Sequence, residues 1–151
     1  GHEGGQRSGT LATHQIAGMG SAFALAGEPA EAEQQRIHQL SERLLNGLLA
    51  LPGVALNGCP RQRIANTLNL RIATPGFNSA ALASELALST TSACNSASNA
   101  ASHVLLALGL TDQQARSSVR ISLGRYTTET DVDAAIKVFT RVLATAAPTF
   151  W

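Results

Sequence analysis

Ile37, Leu40, Leu44 and Leu48 recur at spacings of three and four, and Val132, Ile136, Phe139 and Leu143 do the same near the other end of the chain. Each set makes one apolar stripe on an otherwise polar helix, and such a stripe is stable only when a second layer covers it. Glu31, Glu33, Arg36 and Arg43 fall largely off the first stripe, and Lys137 lies on the far side of the second. The chain must therefore supply a surface for two long helices at residues 30–50 and from Thr128 onward. Thr128 with Asp131 three residues later is a capping-box variant that starts the last helix, and Pro148 ends it.

That surface comes from three short strand candidates. Val54–Leu56 is closed by Asn57-Gly58. In 64–72, Ile64, Leu68, Leu70 and Ile72 mostly keep a period of two. Residues 119–123 alternate and are bounded by Gly124. Further helices are predicted at 11–26, stopped by Gly27 and Pro29, at 79–88, and at 100–108, with Gly109 as C-cap. Strands and helices alternate irregularly, which favours an α+β sandwich with a largely antiparallel sheet covered by helices.

Eleven basic residues face ten acidic ones and the arginines are scattered, so neither a nucleic-acid stripe nor direct membrane binding is expected. The apolar runs are short, and no basic segment precedes a hydrophobic one; the reading is of a mature, cytoplasmic protein. Cys59 and Cys94 make no disulfide framework, and His2, His14, His38 and His103 have no metal-ligand spacing, so no metal is expected.

Cys94 lies in STTSACNSASN, residues 89–99, a run of small polar side chains that compete with the backbone for hydrogen bonds and mark a loop. A thiol there is either a small buried hydrophobe or a nucleophile with an accessible thiolate, and the polar surroundings argue against burial. Cys59, between Gly58 and Pro60, reads as a turn residue without a role. The GGQRSGT segment at 4–10 is either an anion-binding loop leading into a helix or a plain flexible terminus. Arg120 and Arg125 bracket the last strand, Arg120 on its less apolar face; each is a candidate clamp for a carboxylate or a surface ion-pair partner. His103 is a proton donor or a solvated helix residue.

Taken in order, SACNSAS at 92–98, VLLALGL at 104–110 and SSVRISLGRYTTETDVDAAI at 117–136 resemble the C-terminal part of cysteine desulfurases of the housekeeping iron–sulfur assembly type. GHEGGQRSGTLATHQIAGMG at 1–20 is similar to the stretch that follows the cofactor-lysine region in that family, and LNG at 56–58 and the segment 66–70 fit between. The resemblance implies the small C-terminal domain of a fold-type I pyridoxal 5'-phosphate enzyme that converts L-cysteine to L-alanine and takes up the sulfur as a persulfide. It implies Cys94 as the nucleophile, Arg120 as the substrate-carboxylate ligand, and Thr10 as the residue that reaches the cofactor phosphate across a homodimer. The sulfur would pass to an iron–sulfur scaffold protein or a tRNA-thiolation partner.

On this reading residues 1–10 are a segment of the large cofactor domain, 11–26 an interdomain helix, and 27–151 the small domain with its cysteine loop at 89–99. A pyridoxal enzyme needs a lysine to hold its cofactor, and the single lysine, Lys137, falls where the motif has no such role. The chain alone is therefore expected to bind no cofactor and to be inactive without a missing large domain; the alternative is a docking domain that binds partners only. Thr91 stands where the family pattern usually has Gly, and Asn95 where it has Thr.

Overall fold

The computed structural model describes residues 3–27, 30–89 and 101–146. The chain forms two compact units, Gly1–Glu33 and Gln34–Trp151. In the first, a short 3-10 turn at Glu3–Gly5 precedes helix α1, Thr13–Gly27. No residue of α1 is buried, and Ile16, Met19, Phe23 and Leu25 are all exposed. The apolar spacing predicted for 11–26 thus makes a helix with an uncovered apolar face.

The second unit carries most of α2 (Ala30–Leu49), then β1 (Val54–Leu56), β2 (Thr67–Ile72), α3 (Ser79–Ala83), α4 (His103–Ala107), α5 (Asp112–Arg116), β3 (Ser118–Ser122) and α6 (Glu129–Ala146). The strands form one antiparallel sheet in the order β1-β2-β3. This is the α+β architecture, with an antiparallel sheet and helices, that the periodicities predict.

The alternation in β2 is complete: Leu68, Leu70 and Ile72 are buried, whereas Thr67, Asn69 and Arg71 are half-buried. Leu68 and Leu70 pair with Ile121 and Val119, and Ile72 with Val54, so the apolar side chains of all three strands share one face. Leu40, Leu44 and Leu48 of α2 and Val132, Phe139, Val142 and Leu143 of α6 pack on that face in one continuous core. Both predicted stripes therefore face the core, Ile37 and Ile136 half-buried at its margin and the rest buried, and Lys137 is exposed as expected. Between α2 and β1, Gly53 takes φ +80, and a Cβ there would stand 3.2 Å from the Thr74 backbone nitrogen; glycine meets both demands.

The opposite face is polar. Asn57, buried beneath it, donates through Nδ2 to Asn69 Oδ1 (2.7 Å) and Ser118 Oγ (3.0 Å), and accepts from Arg71 Nη1 (3.0 Å). Ser118, 1% exposed, in turn donates to the Gln114 carbonyl at 2.8 Å. Every buried polar side chain in this chain of contacts has a partner, which removes the desolvation penalty its burial would carry.

Several predicted boundaries shift. Ile64 is 70% exposed and precedes β2, which starts at Thr67; Arg63 folds back there and its Nη2 donates to the Thr67 carbonyl. The helix predicted over 79–88 stops at Ala83, because the chain must turn to seat Leu86 and Leu88 against the core. The helix predicted over 100–108 is described as His103–Ala107. Helix α5 was not expected, although Thr111 and Gln114 form a full capping box at its start.

Candidate functional site

Arg120 stands at the centre of β3, exposed on the polar face. Arg120 stands opposite Asn69 of β2, and its own N–H and carbonyl turn to the outer edge of the sheet, as in the non-hydrogen-bonded pairs of an antiparallel ladder. There they meet Ser89: the Arg120 N–H donates to the Ser89 carbonyl at 2.7 Å, and the Ser89 N–H donates to the Arg120 carbonyl at 3.0 Å. The side chains repeat the pairing, with Arg120 Nη2 donating to Ser89 Oγ at 3.1 Å. Ala87, Leu88 and Ser122 complete the lining of a cavity of about 310 Å³ over this pair.

Arg120 makes no ion pair among the described residues; its side-chain partner is a neutral hydroxyl. That sets it apart from Arg43 and Arg141, which the fold ties to carboxylates, although Arg36 and Arg71 also donate to neutral groups. Arg43 grips Asp133 through Nε and Nη2, both at 2.9 Å, and the paired hydrogen bonds raise the Arg43 pKa and lower that of Asp133. Arg36 donates to the carbonyls of Thr127 and Arg125, and Arg141 pairs with Glu85. A guanidinium whose remaining N–H groups face a cavity keeps the geometry for a two-point bond to a carboxylate.

Cys94 lies outside the described residues, as do its flanking residues 90–100. What the structure does place is the residue from which that segment departs: Ser89, bonded to Arg120 through backbone and side chain alike. His103, at the start of α4, is exposed. Ser89 carries no sequence signal of its own, standing in a run of serines and threonines with no periodicity.

Thr10 belongs to the first unit and Arg120 to the second. Thr10 is exposed, and Arg7 Nη1 donates to its carbonyl (2.9 Å) and to that of Gly9 (2.8 Å), closing the loop on itself. Gly4, Gly5 and Gly9 all adopt positive φ in this segment. Cys59, exposed in its turn, has a thiol pKa lowered by the backbone N–H groups of Gln62, 3.4 Å from Sγ, and Arg61. Among the described residues no cluster of three or more His, Cys, Asp or Glu could hold a metal ion, and no helix is long and apolar enough to cross a membrane.

The aminotransferase class-V family matches residues 3–135. A cysteine desulfurase IscS of Acinetobacter baumannii is 51% identical over 139 residues, and one of Methylococcus capsulatus is 51% identical over the same length; the match spans 91% of this chain and 34% of each relative. Among solved structures, a NifS-like protein from Rickettsia africae superposes with a TM-score of 0.76 at 29% identity, covering 91% of this chain and 36% of that one. The chain thus spans about a third of the length of the curated relatives it matches. With the match extending from residue 3 to residue 135, a range that includes the glycine loop, the sheet and Arg120, the chain belongs to the aminotransferase class-V family.

Proposed function

We propose that this chain is the thiol-bearing, carboxylate-binding portion of a cysteine desulfurase, which converts L-cysteine to L-alanine and captures the sulfur as a persulfide on Cys94. The observation that carries the reading is the Arg120 guanidinium, free of acidic partners among the described residues and tied to the residue from which the Cys94 segment departs. Five peptide units from Ser89 to Cys94 span at most about 18 Å between Cα atoms, which is the longest separation from Ser89 that the chain allows. The names of the relatives point to the same chemistry.

In this reading Arg120 holds the substrate carboxylate through two parallel hydrogen bonds. The Cys94 thiolate bonds to the substrate sulfur, the carbon–sulfur bond breaks with its electron pair left on carbon, and a proton quenches that carbon to give alanine. The persulfide then passes to an acceptor, an iron–sulfur scaffold or a tRNA-thiolation protein, in a cytoplasmic homodimer.

Pyridoxal phosphate, implied by the family, supplies the electron sink when bound. The residues of this chain do not fit it by themselves. Thr10 offers a hydroxyl suited to a phosphate, but the one lysine, Lys137, is exposed on α6, the helix layer packed against the opposite face of the sheet from Arg120. The cofactor lysine must come from the large domain that the relatives' greater length accommodates, and the chain alone should be inactive.

The test is to combine this chain with the cofactor-bearing remainder of a relative, add pyridoxal phosphate and L-cysteine, and measure alanine together with the intact mass of this chain. Alanine production and a mass gain of one sulfur atom, lost in Cys94→Ser, are expected. A properly reconstituted complex that forms neither overturns the reading and leaves a domain that only docks.

A further inference from the structure

Three features of the Ser89–Arg120 pair go beyond substrate binding by Arg120 itself. The contact joins residues 31 positions apart, so it is tertiary and not a local turn. Its two backbone hydrogen bonds extend the outer edge of β3 to Ser89, a residue outside the three named strands. And the side-chain bond engages one nitrogen of a guanidinium that is otherwise exposed, so the serine acts where an unrestrained arginine would sample many rotamers.

We infer that Ser89 is a positioning residue for substrate: it anchors the edge of β3 and locks the Arg120 guanidinium through Nη2, leaving the other N–H groups aligned for the carboxylate. This rests on the proposed desulfurase reading. An arginine held before substrate arrives loses less conformational entropy on binding, and the gain falls on affinity, not on the bond-breaking step. Ser89→Ala keeps the backbone bridge and removes only the hydroxyl; Ser89→Thr keeps the hydroxyl and suits an extended backbone.

In the reconstituted complex, Ser89→Ala should raise KM for L-cysteine about tenfold, the scale of one hydrogen bond to a charged group, with kcat changed less than twofold and Ser89→Thr restoring KM. Rotation of the Arg120 guanidinium about its Cζ–Nε bond, followed by 15N exchange spectroscopy on the chain by itself, should be slow in the wild type and in Ser89→Thr and fast in Ser89→Ala. An unchanged KM in Ser89→Ala, or a wild-type guanidinium rotating as freely as that of Arg61, overturns the inference. If the wild-type complex makes no alanine, the desulfurase reading fails, and the rotation measurement alone decides whether Ser89 holds Arg120.

Discussion

Gly47 on α2 and Ile136 on α6 approach so closely that a Cβ added to the glycine would stand 2.5 Å from Ile136 Cδ1 and 3.0 Å from its Cγ1. A glycine inside a helix costs up to about 1 kcal/mol against alanine, and the close approach of the two helices is what the missing side chain permits. Gly47→Val should destabilise the second unit by about 1–3 kcal/mol through overpacking. Ile136→Ala in the same chain should return part of that loss, so a double-mutant cycle by urea denaturation should show coupling between the two sites.

Phe139 is fully buried where α6 meets the sheet. Phe139→Ala should cost about 3–5 kcal/mol, the range for deleting a core aromatic ring. The same denaturation series measures it, and a loss under about 1 kcal/mol would mean the site collapses far better than a packed core allows.

The cap of α6 links stability to pH. The Thr128 hydroxyl donates to Asp131 Oδ2 at 2.7 Å and the Thr128 N–H donates to it at 2.8 Å, while the Asp131 N–H donates to Thr128 Oγ1 at 3.2 Å. These bonds hold the Asp131 pKa below its ordinary value, the side-chain bond contributing most. The cap's contribution is therefore complete above the ordinary Asp pKa of about 3.9 and fades as pH falls through the lower folded value. Asp131→Asn should flatten this part of the acid limb in a stability-versus-pH profile, and Thr128→Ala should cost about 1 kcal/mol at neutral pH.

Arg120→Lys keeps the charge and removes the planar fork. In the reconstituted complex it should raise KM for L-cysteine about 10- to 100-fold, as expected for losing a charge-assisted hydrogen bond. Steady-state kinetics with matched protein concentrations checks it, and a KM within twofold of wild type would remove Arg120 from the carboxylate site.

Cys59 should alkylate faster near neutral pH than an unperturbed cysteine, because the N–H groups of Gln62 and Arg61 lower its pKa and enlarge its thiolate fraction. Gln62→Pro removes the first of these donors and should slow the reaction with iodoacetamide. Peptide mapping separates its adduct from that of Cys94.

Much of this architecture was legible because it is periodic. The stripe of Ile37, Leu40, Leu44 and Leu48 and the alternation of Leu68, Leu70 and Ile72 each repeat with the pitch of their own backbone. Val54–Leu56 was read from three adjacent residues and the Thr128–Asp131 cap from two residues three positions apart. Helix α5 was missed: the Thr111–Gln114 box marks its start, but at five residues its apolar content is too small to register as a period. Ile64 misled for the converse reason: it keeps the period of β2, yet the Arg63 contact to Thr67 turns the chain before the strand begins.

At the site, the face of the sheet that Arg120 occupies followed from its alternation with Val119 and Ile121, and its candidacy for a carboxylate followed from its chemistry and the family resemblance. The sequence by itself therefore determined the elements, their buried faces and the residue types available, since these depend on neighbours within one turn or one pleat. Only the tertiary structure decided that Ser89 meets Arg120 and that Gly47 admits Ile136, contacts between residues 31 and 89 positions apart. Such pairs are selected by how the whole core closes, which no local period encodes.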